Sequence, residues 1–321
     1  MAYAQGTCNG QIAMLQALES FATACGWTIE YAGVARDNAS DRQTMLSHVR
    51  QTVTRYYTLV SRTTDTTGPE RMVLNQHTGI NTANPISTQP GIPSSTIFPM
   101  VSIPRTGAME YFFFGDAQQI ACVFRMGLWH QHISFGQLDL LGGYTHGIFV
   151  TNTIRFYYLP DTNGNYNVTG HVSYHSSLAS DENTSNSGGA VLGGTLRLAN
   201  GSFAWGAKTI GHSDLYVVGS VGPLRTVLPA LASSLYFPKS TAQNAAAILT
   251  PIAIYGGHPS QASKVQLAGT VHDIYHVNMI GQFSGKEILI GSTTYTLFPW
   301  FNMTLDASFK PAAGLAYKKV I

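Results

Sequence analysis

The sequence predicts a mainly β protein: an antiparallel β-sandwich or barrel-like domain with an N-terminal helix and long loop excursions. The first observation is the stretch 108–149, which holds three apolar runs of strand length, Met109–Phe114, Ile120–Met126 and Leu128–Phe135. Glycine-containing turns separate these runs. Connections this short favour antiparallel pairing, because a parallel pair needs a crossover of about a dozen residues or more. The stretch therefore predicts a central β-meander.

The second observation is alternation within the last of these runs. From Trp129 to Phe135 the odd positions are mostly apolar and the even positions are polar. A period of two is typical of a strand that buries one face and exposes the other to water. The pattern predicts that His130 and His132 lie together on the wet face.

One helix is predicted near the N-terminus, over residues 11–25. Apolar residues recur there at steps of three and four, which places them on one helix face. These residues are Ile12, Leu15, Leu18, Ala22 and Cys25. Asn9 is the expected N-cap, and Gly26 is placed to end the helix as its C′ residue.

The rest of the first hundred residues alternates between strand and loop patterns. A strand is predicted at 27–31, a second helix from Asp41 through Val49, and strands at 52–60 and 71–76. Residues 77–107 are rich in proline, which lacks the backbone donor that a sheet needs. We expect an extended arm that lies along a surface or a neighbouring subunit.

The C-terminal part returns to strand patterns after a polar excursion. A strand is predicted at 154–158, and Asn163-Gly164 indicates a hairpin turn after it. Further strands are expected at 248–255, 272–279, 287–290, 293–298 and 314–320. The predicted segments are 1–60 (helix and strand of the main domain), 61–107 (arm), 108–160 (meander), 161–246 (variable insertion or small subdomain) and 247–321 (strands completing the main domain).

Composition narrows the function classes. Charged residues make up 11% of the chain and the net charge is +2, against about 25% charged residues in typical soluble domains. Lys and Arg form no basic stripe, so nucleic acid is not expected as a partner. Low charge with 16 Tyr and 15 Phe is typical either of a secreted β protein or of a subunit covered by neighbours.

Targeting and cysteine signals are weak. The N-terminus lacks the charged and apolar regions of a signal peptide, and no apolar run approaches the ~20 residues of a membrane span. We therefore expect synthesis in a reducing cytosol and no membrane span.

Cys8, Cys25 and Cys122 have the spacing of neither a disulfide framework nor a zinc site, and we expect three thiols.

The histidines are the first candidates for chemistry. His130 and His132 form an H-x-H pair that His146, His272 and Asp273 could complete as a metal site. The competing interpretation, which we favour, is two polar side chains on a wet strand face. No G-x-S-x-G motif or phosphate-binding loop is present, and paired carboxylates for glycoside hydrolysis stay open. We predict no enzyme activity, no cofactor and no metal.

Several motifs occur in a fixed order along the chain. They are FGxLxxxGxYxxGxF from Phe135 to Phe149, L-x-P-I-x-x-Y from Leu249 to Tyr255, V-N-M from Val277 to Met279, and G-x-x-I-x-I-G-S-x-x-Y-x-x-F-P from Gly285 to Pro299. With the N-terminal helix and Gly26-Trp27, this order resembles the virion structural proteins of tailed bacteriophages. The resemblance covers nearly the whole chain except 165–245.

The resemblance implies a non-enzymatic component of the virion, assembled in the host bacterial cytoplasm. It implies a symmetric multi-copy ring in the tail or baseplate, with other copies of the chain and other phage structural proteins as partners; tail tip, neck and capsid surface stay open. The expected assembly contacts are Phe135, Gly136, Gly142, Gly143, Tyr144, Gly147, Phe149, Phe298, Pro299 and Trp300.

Two alternatives belong to other classes. One is a receptor-recognition protein of the virion that binds or depolymerises a host surface glycan, since exposed Tyr and Trp stack on sugar rings. The other is a secreted β-sandwich metalloenzyme that uses His130 and His132.

Overall fold

The structure is a computed structural model of the chain. It describes residues 1–50, 52–62, 71–92, 100–101, 103–141, 148–152, 194–197, 203–205, 208–209, 249–258, 261–279, 281–299 and 313–320. Within these residues the mainly β prediction is confirmed, and the strands pair antiparallel around a single α-helix.

The elements of the first half of the chain are β1 (Ala2–Asn9), α1 (Gly10–Ala24), β2 (Thr28–Val34), β3 (Arg42–Arg50), β4 (Val53–Arg62), β5 (Arg71–His77), a 3₁₀ turn (Ile86–Thr88), β6 (Met100–Val101), β7 (Ala108–Gly115), β8 (Gln119–Met126), β9 (Trp129–Gln137), β10 (Asp139–Leu140) and β11 (Ile148–Asn152). Those of the second half are β12 (Gly194–Arg197), β13 (Phe203–Trp205), β14 (Lys208–Thr209), β15 (Thr250–His258), β16 (Gln261–Asn278), β17 (Lys286–Ile290), β18 (Thr293–Pro299) and β19 (Ala313–Lys319).

These strands form three sheets. Sheet A has the order β1-β7-β8-β9-β11-β12-β13, and sheet B has the order β2-β3-β4-β5-β6. Sheet C has the order β14-β15-β16-β19-β18-β17, with β10 paired to β16. The predicted meander forms the centre of sheet A.

Sheet A lies between the other two sheets, and its central strands β8 and β9 are buried on both faces. Phe113 and Phe135 point toward α1 and sheet B, where they pack with Leu46 and Leu74. The alternate residues of β7 and β8, such as Phe114 and Val123, point toward sheet C. This double burial explains the near-continuous apolar runs of β7 and β8, since a strand with two dry faces does not need to alternate.

The helix is confirmed, with a rotated face and a different start. Met14 and Phe21 are buried with Leu15, Leu18 and Ala22, whereas Ile12 is 36% exposed. Asn9 is the N-cap residue but makes no cap hydrogen bond. Its side-chain oxygen accepts from the Gly107 backbone N–H instead.

The C-terminus of the helix follows the prediction. Gly26 has φ +85, and its N–H donates to the carbonyl of Thr23 at 3.0 Å. The N–H of Trp27 donates to the carbonyl of Ala22 at 3.0 Å. Together these bonds form a Schellman motif with glycine in the left-handed position.

In the N-terminal third one prediction is wrong and one strand was not predicted. The second helix expected at Asp41–Val49 is β3, whose residues from Gln43 to His48 are all buried, so its sequence lacks the alternation of a half-buried strand. Strand β1 was not anticipated; it pairs with β7 along its length, from Ala2 opposite Gly115 to Asn9 opposite Ala108. As an edge strand with mixed exposure, β1 has a weak hydrophobic pattern.

The proline-rich segment lies along its own sheet where the structure describes it. The expected boundary at residue 61 falls inside β4, and β5 and β6 belong to sheet B. Between them, Ile86 is fully buried and Gln89 Nε2 donates to the carbonyl oxygens of Asn81 and Asn84 at 2.8 and 2.9 Å. Gln43 Nε2 of β3 also donates to the Asn84 carbonyl, so this loop packs against its own sheet.

The strands expected at 52–60, 71–76 and in the C-terminal region from 248 are confirmed as β4, β5, β15, β16, β17, β18 and β19. Gly291, with φ +61, makes the turn between β17 and β18 as predicted. The strand at 154–158, its turn at 163–164 and most of the 161–246 insertion lie outside the described residues. The described parts of that insertion extend sheet A through β12 and β13 and sheet C through β14.

Candidate functional site

The first two expected assembly contacts, Phe135 and Gly136, hold the fold together. Phe135 is fully buried and packs against Trp27 and Tyr57, with ring centroids 5.5 and 5.3 Å apart. Gly136 has φ +147, and a Cβ there would lie 2.5 Å from the carbonyl oxygen of Gln118. These two residues therefore lie in the core between sheets A and B rather than on a contact surface.

The other expected contacts divide into two groups. Phe298 is fully buried against Phe112, at a centroid distance of 4.8 Å, and Pro299 is also buried. Phe149 pairs with Gly136 through β11. Gly142, Gly143, Tyr144, Gly147 and Trp300 lie outside the described residues, as does the side chain of Phe149.

The histidine pair is buried, which corrects the expected wet face. His130 is 1% exposed and His132 is fully buried, because sheet C covers this face of β9. His132 Nε2 lies 2.8 Å from the Pro299 carbonyl, which only accepts, so this nitrogen carries the hydrogen. The Tyr317 hydroxyl then donates to Nδ1 at 2.7 Å, and burial lowers the pKa of His132 to about 4.

The hydrogen bonds of both histidines compete with metal binding at the H-x-H pair. Both ring nitrogens of His132 are engaged, and His130 Nε2 lies 2.7 Å from the hydroxyl of Ser284. A metal bound to His132 would have to displace one of these hydrogen bonds in a dry interface. The pair therefore acts as hydrogen-bonding residues between sheets A and C.

A different group of titratable residues comes together at one end of that interface. We call Asp116, Asp139, His272 and Asp273 the His272 cluster. Asp116 follows β7, Asp139 lies in β10, and the other two lie in β16. His272 Nδ1 is 2.7 Å from Asp139 Oδ2, while His272 Nε2 is 3.5 Å from Asp116 Oδ2 and 3.3 Å from Asp273 Oδ2.

Local backbone geometry positions these side chains. The Asp116 carboxylate accepts from the N–H groups of Gln118 and Gln119 through Oδ1, at 2.8 and 3.0 Å. The register of β15 against β16 shifts between Pro251 and Ala253, and Asp273 has φ +54 within the resulting bulge. Bulges re-aim side chains at sheet rims, and Asp is among the residues that tolerate this conformation.

Two cations lie beside the cluster. Lys318 Nζ is 3.1 Å from Asp273 Oδ2, and Arg50 is 3.9 Å from Asp139. Burial acts to raise the pKa of Asp139, but hydrogen bonds from Gln118 and His272 outweigh it and hold the pKa below its usual value. Sequence reasoning named His272 and Asp273 but missed both other carboxylates, because nothing along the chain signals that residues 133 positions apart meet.

An open sheet edge is the second feature of interest. Strand β17 ends sheet C and pairs only with β18 among the described strands. Around it Phe283, Leu289 and Ile290 are 61, 70 and 44% exposed. Native proteins usually blunt such edges with charges, proline or a covering segment.

The cysteines are three thiols, as expected. Burial raises the pKa of Cys8 and Cys25 to about 11, which disfavours a reactive thiolate. Among the helices in the described residues, none has the length and apolar character to cross a membrane.

Comparison with known protein families finds none that matches the chain, and comparison with curated protein sequences finds none similar to it. The candidate functions therefore depend on the geometry above and on the order of motifs in the sequence.

Proposed function

We propose that the chain is a non-enzymatic structural subunit of a tailed-phage virion, in the tail or baseplate, and that it assembles as a symmetric ring with other copies and other virion proteins. The observation that carries this proposal is the open edge of sheet C at β17. Phe283 and Leu289 are large apolar residues with more than half of their surface in water.

The physical argument is that a copy of the chain covers this edge. Backbone groups on the side of β17 that pairs with no other described strand provide hydrogen bonds, and the neighbouring apolar side chains provide area to bury. With charged residues at only 11% of the chain, association depends more on these contacts than on ion pairs. A closed ring requires that the edge of one copy meet a different surface of the next copy.

The resemblance to tailed-phage virion proteins adds support through the residues that carry it. Gly136 permits a close backbone approach, Leu138 is fully buried, and Gly285 and Gly291 have φ +78 and +61 around β17. These motif positions are ones that the fold requires. Shared motifs of this kind are expected between proteins that share a scaffold, whichever surfaces they use for assembly.

The test is to place a charge on the open edge. In Leu289→Lys we expect weaker self-association, because a lysine at a covered apolar site has to be desolvated. A loss of about 2 kcal/mol per contact corresponds to about thirtyfold weaker association. Mass photometry of the purified chain, and incorporation of the variant into particles, measure this effect.

The matched control is Val34→Lys, since Val34 is 55% exposed at the end of β2 in sheet B, on the other side of sheet A from sheet C. It should assemble like the unmodified chain. An unmodified chain that stays monomeric at high concentration and never enters particles contradicts the proposal. Normal assembly of Leu289→Lys removes the edge as its basis.

A further inference from the structure

Three donor atoms from two parts of the fold converge in the His272 cluster. Asp116 Oδ2, His272 Nε2 and Asp273 Oδ2 lie within 4.8 Å of one another. Imidazole nitrogen with carboxylate oxygen is a ligand combination that zinc accepts. We propose that these three residues bind a divalent cation of the zinc class, and that Asp139 orients the histidine.

The hydrogen bond on the other ring nitrogen sets up the site. Asp139 Oδ2, at 2.7 Å, accepts the hydrogen of His272 Nδ1. In the neutral ring, Nε2 then carries a lone pair, and that lone pair faces two carboxylate oxygens. These three electron-rich atoms repel each other, and a cation between them offsets that repulsion.

The distances fit a metal ion in this position. An N⁺–H···O⁻ hydrogen bond is about 2.7–2.9 Å long. Zinc bonds of about 2.0–2.1 Å in a tetrahedron instead hold neighbouring donors about 3.3–3.4 Å apart. His272 Nε2 lies 3.3 Å from Asp273 Oδ2 and 3.5 Å from Asp116 Oδ2. Both separations exceed the hydrogen-bond range and agree with the edge of a metal tetrahedron.

The outer groups fit the same assignment. A carboxylate that accepts from the second nitrogen of a metal-bound histidine is the usual orienting partner in zinc sites, and Asp139 has this position. Lys318 pairs with Asp273 and Arg50 with Asp139, whereas Asp116 Oδ2 faces the histidine.

The location indicates what the ion does. Asp116 lies between β7 and β8 of sheet A, and His272 and Asp273 lie in β16 of sheet C. A shared ion would fasten these sheets together at one end of their interface. It would leave the fourth position of a tetrahedral zinc ion to solvent or to a partner.

The experiment uses the full chain, purified and treated with chelator. Isothermal titration with ZnSO₄ should give one equivalent, and Zn²⁺ should raise Tm. Asp116→Asn and His272→Gln should abolish this binding, and Asp139→Asn should weaken it about tenfold to hundredfold. Glu287→Gln, a charge change on β17, is the matched control and should bind as the unmodified chain does. Co²⁺ in place of Zn²⁺ should give the visible spectrum of a tetrahedral site.

A gain of affinity provides a test that loss of folding cannot imitate. Lys318 Nζ lies 3.1 and 3.2 Å from the two carboxylate oxygens of Asp273 and competes with a metal for them. Lys318→Met should therefore bind Zn²⁺ more tightly than the unmodified chain.

The proposal is overturned if the chain shows no stoichiometric binding and a Tm that neither Zn²⁺ nor chelator changes. It is also overturned if Asp116→Asn and His272→Gln, shown to be folded by circular dichroism, bind Zn²⁺ as the unmodified chain does. A third contrary result is an NMR titration in which His272 Nε2 stays protonated when Zn²⁺ is added. None of these measurements depends on ring assembly.

Discussion

The two buried faces of sheet A are built differently. Toward α1 and sheet B the packing is mostly aromatic and aliphatic, with Trp27, Tyr57 and Phe135 in mutual contact. Toward sheet C, His132 lies among aromatic rings and bonds through both ring nitrogens to Tyr317 and Pro299. On the first face the hydrogen bonds between the layers go to backbone carbonyls, from Tyr57 to Gly136 and from Trp27 to Asp116, both at 2.8 Å. On the second face a side chain of sheet A, His132, is itself both donor and acceptor.

This difference has an energetic consequence. Apolar side chains accept many arrangements of similar volume, whereas a buried polar atom that loses its partner retains the cost of desolvation. His132 should therefore disfavour alternative registers of sheets A and C, because a shift would leave its ring nitrogens without their partners.

The largest expected change in stability comes from Phe135, on the face of sheet A toward sheet B. Phe135 is fully buried, and Phe135→Ala should lower the free energy of unfolding by about 3–5 kcal/mol through lost burial and a cavity. Urea denaturation measures it. Leu128→Ala, at the exposed turn of the same hairpin, is the control and should change stability by no more than about 0.5 kcal/mol. A loss below about 1 kcal/mol for Phe135→Ala would show that this face repacks freely.

Sequence reasoning identified the meander but placed one face of β9 in water. Alternation in Trp129–Phe135 reports which residues differ in polarity, and it does not report whether a second sheet covers the polar face. His130 and His132 are polar and buried because their partners, Ser284, Tyr317 and Pro299, come from more than 150 residues away along the chain. No local pattern contains that information.

The His272 cluster shows the same limit. The turns show the opposite case, because local sequence alone determines them. Glycine at Gly26 and Gly291 predicts a local backbone conformation that depends on neighbouring residues alone, and both predictions are confirmed. The meeting of Asp116 with His272 depends on how sheets A and C stack. Such a site becomes visible only once the three layers are known.

The next largest expected effect is that acid weakens the packing of sheet A on sheet C. Burial lowers the pKa of His132 to about 4 in the folded chain, against about 6.5 when unfolded. The unfolded chain therefore binds the proton first, so stability falls as pH drops from about 6.5 to about 4 and this contribution is constant below that. Between pH 7 and 5 it amounts to about 2 kcal/mol.

The measurement compares the unmodified chain with His132→Gln by urea denaturation at pH 7 and pH 5. The variant should lose about 2 kcal/mol less between the two pH values, whatever its stability at pH 7. It should keep some acid sensitivity, since burial also lowers the pKa of His48 and His276 to about 4. An unchanged pH dependence would mean that His132 has the same pKa in the folded and the unfolded chain.

The smallest expected effect comes from the loss of one hydrogen bond between sheets A and C. Tyr317→Phe keeps the ring stacked on His132 but deletes the hydroxyl that donates to Nδ1, leaving a buried acceptor without that donor. We expect a loss of about 1–2 kcal/mol at pH 7. Tyr31→Phe, which deletes an exposed hydroxyl bonded to the Val34 carbonyl, should cost less than about 0.5 kcal/mol. Equal losses for the two variants would show that the hydrogen bond between sheets A and C adds no more than a solvent-exposed one.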